Sequence, residues 1–220
     1  MSLGYTFANN TKHAESQYDG GLFNGPYIQF GIGLAGNTSS SLLEQDSGYG
    51  GSVGKTSELG QIAIGYSKNI NRFNFAANIH FNAGAEDAGT SNIQASYRTF
   101  PMNAKIKNNW GITVEPGYYL AENSLCFLKL GMEFADIRYH DSYNAEIPYT
   151  NSISKSSNGF LYGFGIKQLL TSNIYLGLEI SRTEFDKKQY SVWESSPYAY
   201  YNVSLDTSRT MGLMTLGYKF

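Results

Sequence analysis

Cysteine is nearly missing from this sequence. Cys126 stands alone among 220 residues, so no internal disulfide can form and thiol usage says nothing about redox compartment. No run approaches the ~18 consecutive apolar residues that a transmembrane helix requires. An excess of either charge is missing too. With 16 basic against 18 acidic side chains the chain has no nucleic-acid footprint and no polybasic membrane segment. The start, Met1-Ser-Leu-Gly-Tyr-Thr-Phe7, has neither the basic nor the apolar part of a secretory leader. Three histidines and one cysteine are not placed to share a metal, so no metal or cofactor is expected.

What is abundant is aromatic and small: 18 tyrosines, 13 phenylalanines and 24 glycines, a mix that favours strands, turns and close backbone approach over helices. The mean hydropathy of −0.33 fits a soluble protein, and it fits equally a barrel whose apolar and polar faces average out. The closing stretch shows the pattern. Phe220, Tyr218, Leu216 and Met214 share one face of an extended strand, while Lys219, Gly217, Thr215 and Leu213 share the other. This suits a core strand of a soluble sandwich or the last strand of an outer-membrane barrel.

The same alternation recurs along the chain. From Pro26, Ile28, Phe30, Ile32 and Leu34 oppose Gln29, Gly31, Gly33 and Ala35. Ile62, Ile64 and Tyr66 oppose Gln61, Ala63 and Gly65, and after a turn at 68–72, Phe73, Phe75, Ala77, Ile79 and Phe81 oppose Asn74, Ala76, Asn78 and His80. Further segments start at Trp110, Cys126, Phe160 and Ile174, the first two joined by a turn at 121–123 and the last two by one at 171–173. Polar stretches 37–57, 83–108, 140–157 and 186–206 read as long loops. About eight strands thus alternate between short turns and long loops, with every long loop at one end, the signature of an antiparallel up-and-down transmembrane β-barrel with periplasmic turns, periplasmic termini and extracellular loops. The charges agree: Glu115, Lys129, Glu133, Lys167, Glu179, Arg209 and Lys219 all fall on the polar face, as a lipid-facing exterior demands. The expected division is a polar N-terminal arm at 1–25 and the barrel at 26–220. A secreted barrel needs a leader, taken as removed, with Met1 to about Leu3 then not native. Pro116 lacks an N–H inside a paired strand, so a bulge or a missing ladder bond is expected there.

Three stretches, Asn123-Ser-Leu-Cys-Phe-Leu-Lys-Leu-Gly-Met-Glu-Phe134, 158–182 and the closing Leu216-Gly-Tyr-Lys-Phe220, resemble the opacity-type outer-membrane β-barrels, a group related in architecture to OmpX and to the membrane domain of OmpA. The resemblance covers about residues 26–220 and implies a non-enzymatic surface antigen or adhesin. Its partners would be outer-membrane lipid and lipopolysaccharide, a host surface protein or glycan, and the outer-membrane assembly machinery, reached through the C-terminal strand with Tyr218 and Phe220. A monomer without nucleic-acid binding is expected.

Three constellations are candidates for function. The first is the set of interior charges, where a regular hairpin at 121–123 sets Glu115 opposite Lys129 and Gly111 opposite Glu133, with Lys167 and Glu179 on a diagonal across the next. Opposed charges in a narrow lumen read first as ion pairs that plug it; the other reading is a small-solute channel. The second is His140, Asp141 and Ser142 with Glu146, the ingredients of nucleophilic catalysis, which would suit a lipid A-modifying enzyme but are explained more simply by loop composition. The third is the loop aromatics Tyr139, Tyr143, Tyr149, Tyr190, Trp193, Tyr198, Tyr200 and Tyr201, which suit ligand contact or, near strand ends, an interfacial belt.

Overall fold

The computed structural model describes residues 22–43, 50–84, 86–95, 98–142, 150–194 and 199–220. Their regular structure is a single antiparallel sheet. It consists of β1 (Gly25–Leu43), β2 (Gly50–Ile70), β3 (Phe73–Ala83), β4 (Glu86–Ala95), β5 (Arg98–Ala121), β6 (Ser124–Ser142), β7 (Thr150–Leu169), β8 (Ile174–Phe185), β9 (Lys188–Glu194) and β10 (Ala199–Lys219). The sheet closes on itself because β1 pairs with β10 from Tyr27↔Lys219 to Leu43↔Val203.

Ten strands fill only eight positions around the ring. β3 and β4 both pair with β5, first through Asn82↔Asn109 and then through Glu86↔Ile106, so β4 continues β3 past a break at Gly84, whose φ is +122°. β8 and β9 likewise share β10, with the register moving from Ser208↔Glu184 to Leu205↔Lys188 across Asp186 and Lys187. The eight-stranded barrel expected from the sequence is present. The four long loops are not as expected. Most of 37–57, 83–108, 140–157 and 186–206 is strand, and the tips 44–49, 96–97, 143–149 and 195–198 lie outside the described residues.

The physical reason is a reversal of polarity along the strands. At the turn end and mid-height, apolar side chains face outward: Ile32 is 65% exposed, Phe73 53%, Phe164 62% and Leu216 53%. On β3 this face runs from Phe73 to Phe81, about 27 Å of strand. At the loop end the same strands turn their apolar residues inward. Ala104 and Ile106 on β5, Ala135, Ile137 and Tyr139 on β6, Phe185 on β8 and Val203 and Leu205 on β10 form one buried cluster, joined by Ala88 of β4. The outward positions between them are polar, for example Lys105, Asp136 and Arg138. A segment with an apolar inside and a polar outside lacks the oily outward row that marks a lipid-facing strand, so it reads as a loop.

β5 makes its reversal with an extra residue. Its register to β6 shifts between Lys107↔Asp136 and Trp110↔Phe134, and Asn108 there has a φ of +48°. At Pro116 nothing is inserted: pairing passes from Val114↔Leu130 to Gly117↔Phe127 with the count on both strands equal, and no pair is formed between them. The missing-bond expectation fits; the bulge lies instead between Tyr119 and Ala121.

Candidate functional site

Side chains fill the barrel in three levels. At the turn end, Phe23, Tyr27, Ala76, Tyr119, Leu125, Leu169 and Tyr175 pack as one cluster. Phe23 precedes the first strand, yet it belongs to this base: its ring meets Tyr175 edge-on at 5.6 Å and its amide donates to the Tyr119 hydroxyl at 3.1 Å. The segment assigned to a loose arm therefore enters the barrel at Phe23, while 1–21 lie outside the described residues. A small, open pocket at this cluster, no larger than about one water molecule needs, is lined in part by Lys167 and Lys219. Lys219, half-buried at the rim, is the lowest of the seven expected interior charges.

The charged level comes next. Lys167 Nζ donates to Glu115 at 2.6 Å and lies 4.6 Å from the Phe127 ring centre; Asn78 Nδ2 donates to the other Glu115 oxygen at 2.8 Å. Lys129 Nζ donates to Glu179 at 2.7 Å. Above them Arg209 bridges two carboxylates, Glu133 and, at 2.7 Å, Glu86. Glu133 also accepts from Thr183 and from Asn82, the latter at 3.0 Å, and His80 Nε2 stands 3.5 Å from it. Gly111 makes the seat for that imidazole, since a Cβ there would meet the His80 ring at 2.7 Å.

The interior charges read from the sequence are thus brought together, but not in the expected pairs. Glu115 and Lys129 do sit across the β5–β6 hairpin and Lys167 and Glu179 on a diagonal, yet each ion pair skips a strand: Glu115 of β5 takes Lys167 of β7, and Lys129 of β6 takes Glu179 of β8. Inside a narrow barrel, long side chains lean along the wall past a glycine, here Gly163 facing Lys129 and Gly165 facing Glu179. Glu86 was missed because it falls in a stretch read as loop; the alternation Glu86, Ala88 against Asp87 was the available signal. Each carboxylate of this level has a cation or donor partner, as burial in a low-dielectric interior requires.

The loop end forms the third level. Tyr139, expected on a loop, is buried in the apolar cluster with its hydroxyl 3.4 Å from Thr207 Oγ1. β6 simply continues, and position 139 points inward. Tyr190 and Trp193 fall on β9 and Tyr200 on β10, where Tyr200 and Trp193 are register partners. Tyr143, Tyr149 and Tyr198 lie outside the described residues, as does Glu146. His140, Asp141 and Ser142 are consecutive strand residues at the end of β6, in register with Asn103 and Ser152, Met102 and Asn151, and Thr150 respectively. On the rim, Lys55 Nζ pairs with Asp87 at 2.7 Å. Partial burial pushes the Asp87 carboxyl up, but hydrogen bonds from Lys55, the Gly89 amide and Asn103 outweigh it and hold the group below the ordinary carboxylate value. Among the described residues no group of histidine, cysteine and carboxylates could hold a metal ion.

A closed antiparallel cylinder with an oily belt outside and ionised groups inside is the architecture of a transmembrane β-barrel. The chain belongs to the family described as outer membrane protein beta-barrel domain, whose model matches residues 13–220, and it is an outer-membrane protein. Among solved structures it is similar to the outer membrane protein OprG of Pseudomonas aeruginosa, with a TM-score of 0.61 and 12% identity over 90% of this chain and 96% of that one. It is also similar to the outer membrane protease OmpT of Escherichia coli, with a TM-score of 0.51 and 10% identity over 90% and 97%. Ail, the attachment invasion locus protein of Yersinia pestis, solved with the heparin analogue sucrose octasulfate, matches at a TM-score of 0.46 and 14% identity over 89% and 99%. These likenesses are to the fold. No curated protein sequence matches the chain.

Proposed function

We propose that this protein is a closed, non-enzymatic surface barrel whose loop end faces the cell exterior and contacts host surface proteins or glycans. Both termini are then periplasmic, the barrel with its base runs from Phe23 to Phe220 rather than from residue 26, and the protein acts as a monomer. Tyr218 and Phe220, ring against ring at 5.1 Å on the exposed face of β10, would present the C-terminal strand to the assembly machinery. The observation that carries the reading is the continuous interior, from the Phe23–Tyr175 base through the Arg209 bridge to the apolar cluster around Ile137. An eight-stranded barrel is just wide enough for side chains to fill, and each interior carboxylate is held by a cation that spans the lumen, Lys167, Lys129 or Arg209.

Planar-bilayer recording tests the closed lumen: the expected trace is flat, and stepwise conductance in the wild type would replace this reading with that of a small-solute channel. Shortening the tips 143–149 and 195–198 should abolish binding to immobilised host matrix proteins while the barrel still folds; unchanged binding would remove the contact role. Replacing His140 or Ser142 should leave lipid A acylation in whole cells unaltered.

A further inference from the structure

Above the apolar belt the ring of backbone hydrogen bonds parts along two lines. β2 and β3 separate after Gly60↔Ala83, and β4, which takes over from β3, pairs with β5 alone. β7 and β8 separate after Gly159↔Phe185, and β9, which takes over from β8, pairs with β10 alone. Among the described residues, therefore, β2 shares no register with β4, and β7 shares none with β9. Each seam is bordered by two strand edges, and such edges offer unpaired N–H and C=O groups to another chain.

The two seams differ in how they are filled. Side chains close the first: Lys55 Nζ of β2 meets Asp87 of β4 at 2.7 Å, and the Asp87 amide donates to Ser57 Oγ at 3.1 Å. The second is tied at its foot, where the Asp186 amide donates to the Asn158 carbonyl at 2.8 Å. Where the first seam sets a lysine against a carboxylate, the second sets lysine against lysine. Lys155 of β7 is the register partner of Ile137, and Lys188 of β9 that of Leu205. Ile137 and Leu205 are buried in the inward cluster, so both lysines take inward positions. Yet Lys155 is exposed and Lys188 only half-buried, because the wall beside them is open. Lys155 lies four residues beyond Gly159 and Lys188 three beyond Phe185, which brings them to one level across the seam. Neither has a carboxylate partner among the described residues.

Two ammonium groups at one level repel each other and hold the edges apart, and an inward lysine on an edge strand turns away an apolar chain. An extended chain with a carboxylate at that level reverses both effects and finds hydrogen-bonding partners on either side. We propose that the β7–β9 seam takes up an extended acidic segment of a partner protein as an added strand. Its backbone lies along the edges of β7 at 150–158 and β9 at 188–194, with a carboxylate between Lys155 and Lys188. The inference rests on the reading that the loop end contacts host surfaces, and it names the chemistry of the partner. The seam opens between the tips 143–149 and 195–198, which continue its two border strands. It selects a protein over a glycan, because a sugar satisfies the lysines but not two rows of backbone groups.

The test uses the full-length barrel in detergent micelles and a fluorescent synthetic peptide of alternating valine and threonine with a central glutamate, read by anisotropy. The peptide should bind, and its glutamine counterpart should bind about tenfold more weakly. The Lys155→Gln/Lys188→Gln variant should lose the same factor, whereas Lys105→Gln should bind as the wild type does. Lys155→Glu/Lys188→Glu should prefer a lysine-centred peptide, a reversal that loss of folding cannot produce. Equal binding by the wild type and the glutamine double variant would overturn the proposal. So would undiminished binding of the peptide N-methylated at every amide, or tighter binding of heparin than of the peptide, which would make the lysines a site for a sulfated glycan. Immobilised host matrix protein held equally by wild type and double variant overturns the seam and leaves the contact reading standing. Peptide binding in micelles but not on intact cells overturns the outward orientation alone.

Discussion

The two halves of this barrel are built from the same strands with opposite polarity. On β6, Leu128, Leu130 and Met132 point outward below, at even positions. Above them Ala135, Ile137 and Tyr139 point inward, at odd positions, and no residue is inserted between the two sets. β10 does the same, with Met214, Leu216 and Tyr218 outward and Val203 and Leu205 inward. The difference shows that side-chain direction alone is not what a barrel strand encodes. It encodes which of its two surroundings is dry. In lipid the outside is dry and the charges go in; beyond lipid the outside is wet and the strand packs like a soluble core.

The largest effect should come from breaking the interior below the boundary. Arg209→Met leaves Glu86 and Glu133 buried without their cation, which should cost about 3–5 kcal/mol, measured as urea unfolding of the barrel in lipid vesicles. A change within experimental error would mean that water reaches this level and the lumen is not dry.

Next comes the same substitution on the two outsides. Leu130→Arg, in the middle of the apolar belt, should destabilise by about 2–4 kcal/mol. Thr56→Arg, outward on the loop-end half of β2, should stay within about 0.5 kcal/mol. Similar costs at both positions would erase the proposed boundary.

The smallest effect concerns packing. Ile137→Val removes one methylene from the loop-end cluster and should cost about 0.5–1.5 kcal/mol. Ile112→Val on the belt should cost less, because lipid tails refill the space. A larger loss at Ile112 would reverse the assignment of the two environments.

This contrast also explains what could be read from the sequence. The belt was legible because it meets lipid on one side and ion pairs on the other, which gives the sharp alternation of Phe73 to Phe81. The loop-end strands were hidden because their inward row is short, as in Ala135-Ile137-Tyr139, and their outward row is polar like any loop. The members of the charged level were legible, Glu86 excepted, because a charge has no place outside. Their pairing was not, since register names the neighbour on the wall, and the side chains of Lys129 and Lys167 reach past that neighbour.

The most direct measurement is a spin-label accessibility scan along the outward face of β6 in lipid vesicles, at Leu128, Leu130, Met132, Phe134, Asp136 and Arg138. Labels from Leu128 to Phe134 should collide with oxygen and be shielded from a water-soluble nickel complex, and the preference should switch between Phe134 and Asp136. Nickel access at Leu130, or oxygen preference persisting through Arg138, would contradict the reversal of polarity.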